Sequence, residues 1–439
     1  MKKIFLISLG CARNLVDSEF VLNKLLKSGY QIKDAPQGVD IAIVNTCGFI
    51  QEAKEEAIDI ILDLIELKEE GKIKKIILGG CLSQRYEEQL LEELPEVDAV
   101  LGINWDEIID VVDKLETESR IINIREERKL LPYIENKEIF LTPPHYAYLK
   151  ISEGCSHRCS YCSIYQIKGS HRSRELHQII REASMLIQRG VKEINIIAQD
   201  SSSYGTDIKG APRIPELLKA LNDIPGDFWI RLLYTYPQMI TDDLISCFKD
   251  LPKLCKYIDI PLQHINDRIL NAMRRNFGKK EICSLIQRLR KEINGVCLRT
   301  AFIVGFPGEK DGDFSELLDF IKEVEFERLG CFMYSREEGT DAFSLPNQVA
   351  QKDKEKRFDA LMKLQNQIAQ SVNKNFLGKV NRVLVEEEEK DYYIGRTPCD
   401  APEVDGVVYI SKDKKISLGD FVNVVIKDNL DYDLFAEIA

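Results

Sequence analysis

Three cysteines crowd into one short stretch, Gly154-Cys155-Ser156-His157-Arg158-Cys159-Ser160-Tyr161-Cys162, with three and then two residues between them. Thiolates are the usual protein ligands of an iron-sulfur cube, and three of them leave one iron free to bind a small molecule. A loop this short closes at little entropic cost. A structural zinc site with His157 as fourth ligand is the other chemistry the stretch allows. His157 lies between two of the cysteines and cannot easily turn inward with them, so the open-iron cluster is the better account.

Cys11, Cys47 and Cys81 have no such local spacing, and each alone reads as a small buried residue. Each, however, directly follows an apolar run, in Gly10-Cys11, Thr46-Cys47-Gly48 and Gly79-Gly80-Cys81. Ligands of open parallel sheets gather at the carboxyl ends of the strands, so three cysteines at three such ends can converge although they are distant in sequence. Cys247, Cys255, Cys283, Cys297, Cys331 and Cys399 are scattered and read as core or surface residues.

The elements that must position these residues fall into three segments. Residues 1–124 alternate apolar runs (Lys3 to Leu9, Asp40 to Thr46, Lys74 to Gly80, Ala99 to Gly102) with amphipathic helices, the pattern of a parallel α/β domain. Residues 125–144 form a charged linker ending in Thr142-Pro143-Pro144. Residues 145–375 hold six strand-helix units, with strands near Ala147 to Ile151, Glu193 to Ala198, Phe228 to Tyr234, Tyr257 to Pro261, Arg299 to Val304 and Gly330 to Tyr334, then a helix from Lys352 to Asn375. Six units are too few for a full eight-unit barrel, so an open (βα)6 partial barrel is expected. Residues 376–439 switch to five short β-rich runs, which predict a small five-stranded antiparallel β-barrel of the oligonucleotide-binding type.

In this scheme the Cys155 loop follows the first barrel strand and lies at the barrel mouth. Tyr161, Gln199, Arg231 and Gln263, with Asp200, Tyr234, His264 and the Gly305-Phe306-Pro307-Gly308-Glu309 turn, are the polar or flexible positions expected near a ligand there.

The bulk numbers set limits on partners. A chain of 439 residues with 44% hydrophobic and 30% charged residues is an ordinary globular protein of two or three domains. Its first residues, Met1-Lys2-Lys3 followed by an apolar stretch and Gly10-Cys11, imitate a secretion signal, but the stretch from Ile4 to Leu9 is too short for one and reads as a buried strand. A retained amino terminus, twelve cysteines and no bilayer-length apolar run predict a cytoplasmic protein that uses thiols for metal ligation or packing rather than disulfides. The net charge of -12 lacks the basic footprint of a nucleic-acid binder. From Phe376 to Ala439 there are 14 acidic residues against 8 basic ones, so the terminal barrel suits a basic protein partner better than RNA phosphates.

The cysteine spacing, Tyr161 just before the last cysteine and the position after a first barrel strand resemble the radical S-adenosylmethionine superfamily. The resemblance implies that the amino and carboxylate groups of S-adenosylmethionine chelate the open iron of a 4Fe-4S cluster. One electron then splits the sulfonium to release a 5'-deoxyadenosyl radical. The phrases Gly10-Cys11-Ala12-Arg13-Asn14 with Asp17-Ser18-Glu19, Val44-Asn45-Thr46-Cys47-Gly48-Phe49 and Gly79-Gly80-Cys81 are similar to the amino-terminal domain of the methylthiotransferases, and the likeness extends over essentially the whole chain to a terminal TRAM domain. It implies a second 4Fe-4S cluster on Cys11, Cys47 and Cys81 that carries sulfide or methylsulfide.

Within that family the chain most resembles the RimO type. The resemblance rests on Gly48-Phe49-Ile50-Gln51-Glu52-Ala53, Leu262-Gln263-His264-Ile265-Asn266 and Asp400-Ala401-Pro402-Glu403-Val404-Asp405-Gly406. That type adds a methylthio group to the β-carbon of one aspartate in small-subunit ribosomal protein twelve, drawing electrons from a donor such as flavodoxin or ferredoxin. One S-adenosylmethionine methylates the sulfide and a second supplies the radical. The chain departs from the family after Cys162, where Tyr165 stands for proline and Lys168 for arginine. The rival readings are a transfer-RNA adenosine methylthiotransferase with the same two clusters, and a non-catalytic electron carrier or RNA-binding protein. A carrier caps all four irons of each cluster, and here only three cysteines serve each set.

Overall fold

The computed structural model describes the chain from Met1 to Ala439, the side chain of Glu88 excepted. The amino-terminal segment builds a six-stranded parallel sheet in the order Gln31–Lys33, Lys3–Ser8, Val39–Thr46, Ile73–Gly80, Ala99–Leu101 and Ile121–Asn123. Its central strands are apolar on both faces because both are covered. Ile41, Ile43 and Ile77 pack with Phe20, Leu25 and Trp105 on one side, while Ala42, Val44 and Leu78 pack with Ile61 and Leu64 on the other. The edge strands Gln31–Lys33 and Ile121–Asn123 were not expected from the sequence; three residues are too few to show a period.

The middle segment is the expected open barrel of six parallel strands, Tyr146–Lys150, Glu193–Ile197, Trp229–Leu232, Tyr257–Asp259, Cys297–Val304 and Arg328–Met333. The first three form one sheet and the last three another, and a single bridge between Ile230 and Leu254 joins them. Helices such as Leu176–Gln188, Ile214–Asn222, Lys279–Glu292 and Asp311–Val324 cover the outside and complete the largest core of the molecule. The helix Gln351–Asn373 then leads to the terminal barrel.

That barrel closes in the order Val380–Glu388, Tyr392–Arg396, Val408–Ser411, Asp433–Ile438 and Phe421–Leu430. Its pairings are antiparallel except that Val408–Ser411 runs parallel to Asp433–Ile438, a refinement of the all-antiparallel expectation. The residues after Arg396 are largely buried, apart from Glu403 and Val404. They cap the amino ends of the middle barrel's strands, where Arg231 Nη1 donates to the Pro398 carbonyl (2.7 Å), Arg328 Nε to Asp400 (2.7 Å), Tyr257 to Asp405 (2.6 Å) and Tyr146 to Glu403 (2.7 Å). Arg396 reaches in from the same side to Glu193 (2.6 Å).

Candidate functional site

The strand order decides where the dispersed cysteines go. Lys3–Ser8, Val39–Thr46 and Ile73–Gly80 are consecutive neighbours in the sheet, and Cys11, Cys47 and Cys81 follow their carboxyl ends. The chain turns in opposite directions from the first of these strands, which opens the crevice where doubly wound sheets bind ligands. Cys11 is the N-cap of helix Ala12–Lys27 and Cys81 the first residue of helix Cys81–Glu93, so two thiols sit at the positive ends of helices, which favour thiolate. Asn14 ties the set together. Its amide donates to the Leu9 and Thr46 carbonyls (both 3.1 Å), and its oxygen lies 3.7 Å from Cys81 Sγ.

Glycines make room around these sulfurs. A Cβ on Gly10, which has φ +85°, would stand 2.7 Å from Cys47 Cβ and 2.8 Å from its sulfur; one on Gly48 would stand 2.7 Å from Leu82 Cα. Burial pushes the Cys81 thiol up to about 12 and also raises Cys47. Cys11 goes the other way: its burial is outweighed by the Arg13 guanidinium and by the backbone N–H groups of Asn14 and Arg13. Buried thiols with few neighbouring cations ionise when a metal supplies the positive charge, so this donor set fits an iron-sulfur cluster.

The local set sits opposite, beyond the first strand of the middle barrel. Gly154, at φ +80°, lets the loop pass the Ser170 carbonyl, 2.2 Å from where a Cβ would lie, and the Cys155 N–H donates to the Gly169 carbonyl (3.0 Å). Burial pushes Cys155 and Cys162 up to about 12. His157 turns away from the sulfurs: Nε2 is 2.6 Å from Asp200, and the ring stacks on Tyr236 at 3.7 Å. It is therefore committed elsewhere and does not complete a zinc site. Arg275 stands beside the set, with Nη1 3.8 Å from Cys159 Sγ and its guanidinium over Tyr236 (4.4 Å).

Between the two sets lies Arg13. Its Nη1 donates to the Ala198 carbonyl at the end of the second barrel strand (3.0 Å), and its guanidinium lies over the Tyr234 ring (4.5 Å). Its charge lowers the Cys11 thiol and offsets only a little of the burial that raises Cys162. Beneath it, a buried ionic cluster fastens the two domains. Asp17 accepts from Lys150 and Lys168 (3.1 Å to the latter), and Glu153 accepts from Lys150 (2.8 Å) and Gln199 Nε2 (2.5 Å). Burial alone would raise the Glu153 carboxyl, but Lys150 and Lys168 hold it far below the usual carboxylate range. The departure at Lys168 thus keeps a working cation, paired with Asp17 of the other domain.

The other sequence-predicted positions separate into two groups. Gln199 lies at the mouth, where its buried Oε1 has no partner. Gln263 follows the fourth strand in a left-handed conformation, φ +72°. Tyr161 packs beside Met273, Phe306 and Tyr334 next to Cys159. Nearby, His264 Nε2 and Glu309 Oε1 are both buried without a hydrogen bond, 3.7 Å apart. Arg231 is a correction. It is fully buried inside the barrel, held by Glu193 (2.7 Å), the Pro398 carbonyl and the Tyr257 ring, and so belongs to the junction with the terminal barrel rather than to the mouth. Sequence reasoning missed Arg13, Asn14 and Arg275 as site residues. Arg13 and Asn14 lie two and three positions past Cys11, a signal that was available; Arg275 follows a helix of another unit and gave none.

Comparison with known proteins agrees with this geometry segment by segment. Residues 3–102 match the family described as uncharacterized protein family UPF0004, residues 149–321 the radical SAM superfamily, and residues 377–439 the TRAM domain. Over its whole length the chain is 47% identical to the ribosomal protein uS12 methylthiotransferase RimO of Desulforamulus reducens, covering 100% of both chains. It is 43% identical to the protein of the same name from Clostridioides difficile, covering 100% of this chain and 99% of the other. Among solved structures it is similar in fold to the radical S-adenosylmethionine methyltransferase TsrM of Kitasatospora setae (TM-score 0.56, 12% identity, 76% and 75% of the two chains). It is also similar to the cobalamin-dependent radical enzyme OxsB (TM-score 0.52, 15% identity, 84% and 56%).

Proposed function

The chain belongs to the family of ribosomal protein uS12 methylthiotransferases, and from that premise we propose that Cys155, Cys159 and Cys162 hold one 4Fe-4S cluster and Cys11, Cys47 and Cys81 a second. The enzyme is a radical S-adenosylmethionine methylthiotransferase acting on an aspartate of uS12. When bound, the first cluster supplies the electron that cleaves S-adenosylmethionine and the second supplies the sulfur that is transferred.

The chain's own residues perform the positioning. Gln199, Gln263 and Tyr161 line the mouth around the cosubstrate, and Arg13 fixes the distance between the two sites by holding the Ala198 carbonyl while it faces Cys11. The Asp17-Lys150-Glu153-Lys168 cluster holds the two domains in register, so that a substrate carbon at the mouth would lie within reach of both cysteine sets. We assign residues 1–124 to the sulfur-donor domain, 125–144 to the linker, 145–375 to the radical domain and 376–439 to the TRAM domain. The electron donor is a flavodoxin or ferredoxin, the site of action is the cytoplasm, and nucleic acid is not the main partner. Among the described residues no helix is long and apolar enough to cross a membrane.

The observation that carries this reading is that Cys11, Cys47 and Cys81 follow the ends of three adjacent strands, while Arg13, two residues past Cys11, donates to the Ala198 carbonyl at the mouth of the domain that carries Cys155, Cys159 and Cys162. Mass spectrometry of uS12 and transfer RNA from cells with and without the gene tests it. Loss of the methylthio mass from uS12 alone is expected; loss from a transfer-RNA adenosine instead would establish the rival substrate.

A further inference from the structure

The arginines on the middle barrel's strands are matched to carboxylates. Arg231 pairs with Glu193 (2.7 Å), Arg299 with Asp259 (3.1 Å) and Arg328 with Asp400 (2.7 Å). Arg13 breaks this rule. It reaches the same barrel from the amino-terminal domain and is partly buried, yet among the described residues it forms no ion pair; it meets the Ala198 carbonyl, the Tyr234 ring and the Cys11 sulfur. The neighbouring acids are spent elsewhere: Glu153 on Lys150 and Gln199, Asp17 on Lys150 and Lys168, and Asp259 on Arg299 and the Tyr234 N–H (2.9 Å). A charge drawn out of water without a counter-ion is costly, and a ligand that brings the opposite charge removes that cost.

The guanidinium has capacity left. It offers five N–H donors in one plane, and the Tyr234 ring, 4.5 Å from its centre, covers a face of that plane rather than its edge. With Nη1 on Ala198, further donors remain on the edge for a carboxylate, the partner that a planar fork fits best. Tyr234 holds its ring there under strain. A non-glycine residue at φ +61° stores about 1–3 kcal/mol, and such strain gathers at ligand sites.

We propose that Arg13 receives the side-chain carboxylate of the target aspartate of uS12, an inference that rests on the uS12 reading above. The β-carbon that takes the methylthio group is bonded to that carboxylate, so gripping the one fixes the other, and Arg13 does so beside Cys11. It thereby selects aspartate over a neutral side chain of the same shape. The other carboxylate expected at the mouth is that of S-adenosylmethionine. Arg275, 3.8 Å from Cys159 Sγ and likewise without an ion pair among the described residues, gives the Cys155-Cys159-Cys162 set a cation of its own.

The test is a double-mutant cycle on the full-length, cluster-loaded enzyme. Wild type, Arg13→Gln and Arg13→Lys are titrated with purified uS12 and with uS12 whose target aspartate is replaced by asparagine; binding of S-adenosylmethionine and iron content are measured on the same samples. We expect the asparagine to weaken binding about tenfold in the wild type and less than about twofold in Arg13→Gln, with Arg13→Lys between them. A residue that only spaced the domains would weaken binding of both substrates alike, so parallel losses overturn the proposal. Lost affinity for S-adenosylmethionine in Arg13→Gln, with aspartate still preferred to asparagine, would give Arg13 to the cosubstrate and also overturn it. Should Arg13→Gln lose its iron, Arg13→Lys and the wild type decide: a wild type that modifies uS12 but binds both substrates equally refutes the role of Arg13 and leaves the uS12 reading standing. A wild type that neither binds nor modifies uS12 brings down both.

Discussion

The two three-cysteine sets reach similar chemistry by opposite routes. Cys155, Cys159 and Cys162 are brought together by the chain itself, in a loop that needs one strand before it and one glycine, Gly154, to turn. Cys11, Cys47 and Cys81 are brought together only when three strands take adjacent places in a sheet and Asn14 pins two of their ends. The local set is robust to what happens elsewhere in the fold, and the dispersed set is a reporter on it. Under the proposed assignment the more fragile set serves sulfur transfer, and that step, rather than radical generation, should be the more sensitive to damage.

Substituting the ligands separates the sets most sharply. Cys155→Ala, Cys159→Ala or Cys162→Ala should abolish 5'-deoxyadenosine formation altogether. Cys11→Ala, Cys47→Ala or Cys81→Ala should leave it running while methylthio transfer stops. Iron after anaerobic reconstitution should be about eight per chain in the wild type and about four in either class. Iron that stays at about four in the wild type and does not respond to the second class would remove the dispersed cluster altogether.

A smaller blow is struck by a single methyl group. Gly10→Ala places a Cβ against Cys47 in a left-handed backbone, and Gly154→Ala places one against the Ser170 carbonyl, each at a strain of about 1–3 kcal/mol. The first should lower iron occupancy of the dispersed set and spare cosubstrate cleavage, and the second should do the reverse. Visible absorption and product analysis on the same samples read both.

Smaller again is Asn14→Ala. It leaves the Leu9 and Thr46 carbonyls without a buried donor, at about 1–3 kcal/mol each. The expected result is a lower melting temperature and slower methylthio transfer at unchanged uncoupled cleavage. Equal losses in both activities would mean that the two sets are less independent than their construction suggests.

The mildest test uses pH. Glu19, on the helix that begins at Cys11, is buried beneath the linker, where its carboxylate accepts the Leu141 N–H. Burial pushes it from 4.5 to about 7 despite nearby Lys137. The folded chain therefore keeps a proton that the unfolded chain has released, and Glu19 subtracts stability progressively as pH rises from about 4.5 to 7. Chemical denaturation of wild type and Glu19→Gln across that range should show the wild-type slope flattened in the variant, with cluster content unchanged. Parallel curves would show that this carboxyl ionises normally.

What the sequence disclosed follows the same division. The Cys155 loop, the alternation of strands and helices and the four inner strands of the first sheet were legible because their signals are local. The convergence of Cys11, Cys47 and Cys81 was legible only as a possibility of parallel-sheet topology and, more firmly, through family resemblance. Arg231 was misplaced because its partners, Glu193 and the Pro398 carbonyl, are set by the docking of a distant barrel. The acidic count of the terminal segment was correct, yet Glu386, Asp400, Glu403 and Asp405 are spent inside the junction, on Arg396, Arg328, Tyr146 and Tyr257. Only the remaining carboxylates are available to a partner.

That junction also has a consequence in time. Domains fold as they leave the ribosome, amino terminus first, yet Arg231, Arg299 and Arg328 on the radical domain's strands also contact Pro398, Asp405 and Asp400, which are made later. Until then Glu193 and Asp259 already pair Arg231 and Arg299, but Arg328 lacks its carboxylate, and a buried charge left without its partner costs about 3–5 kcal/mol. Chains stopped short of Asp400 should therefore hold a weaker middle barrel beneath the radical site than chains that include it.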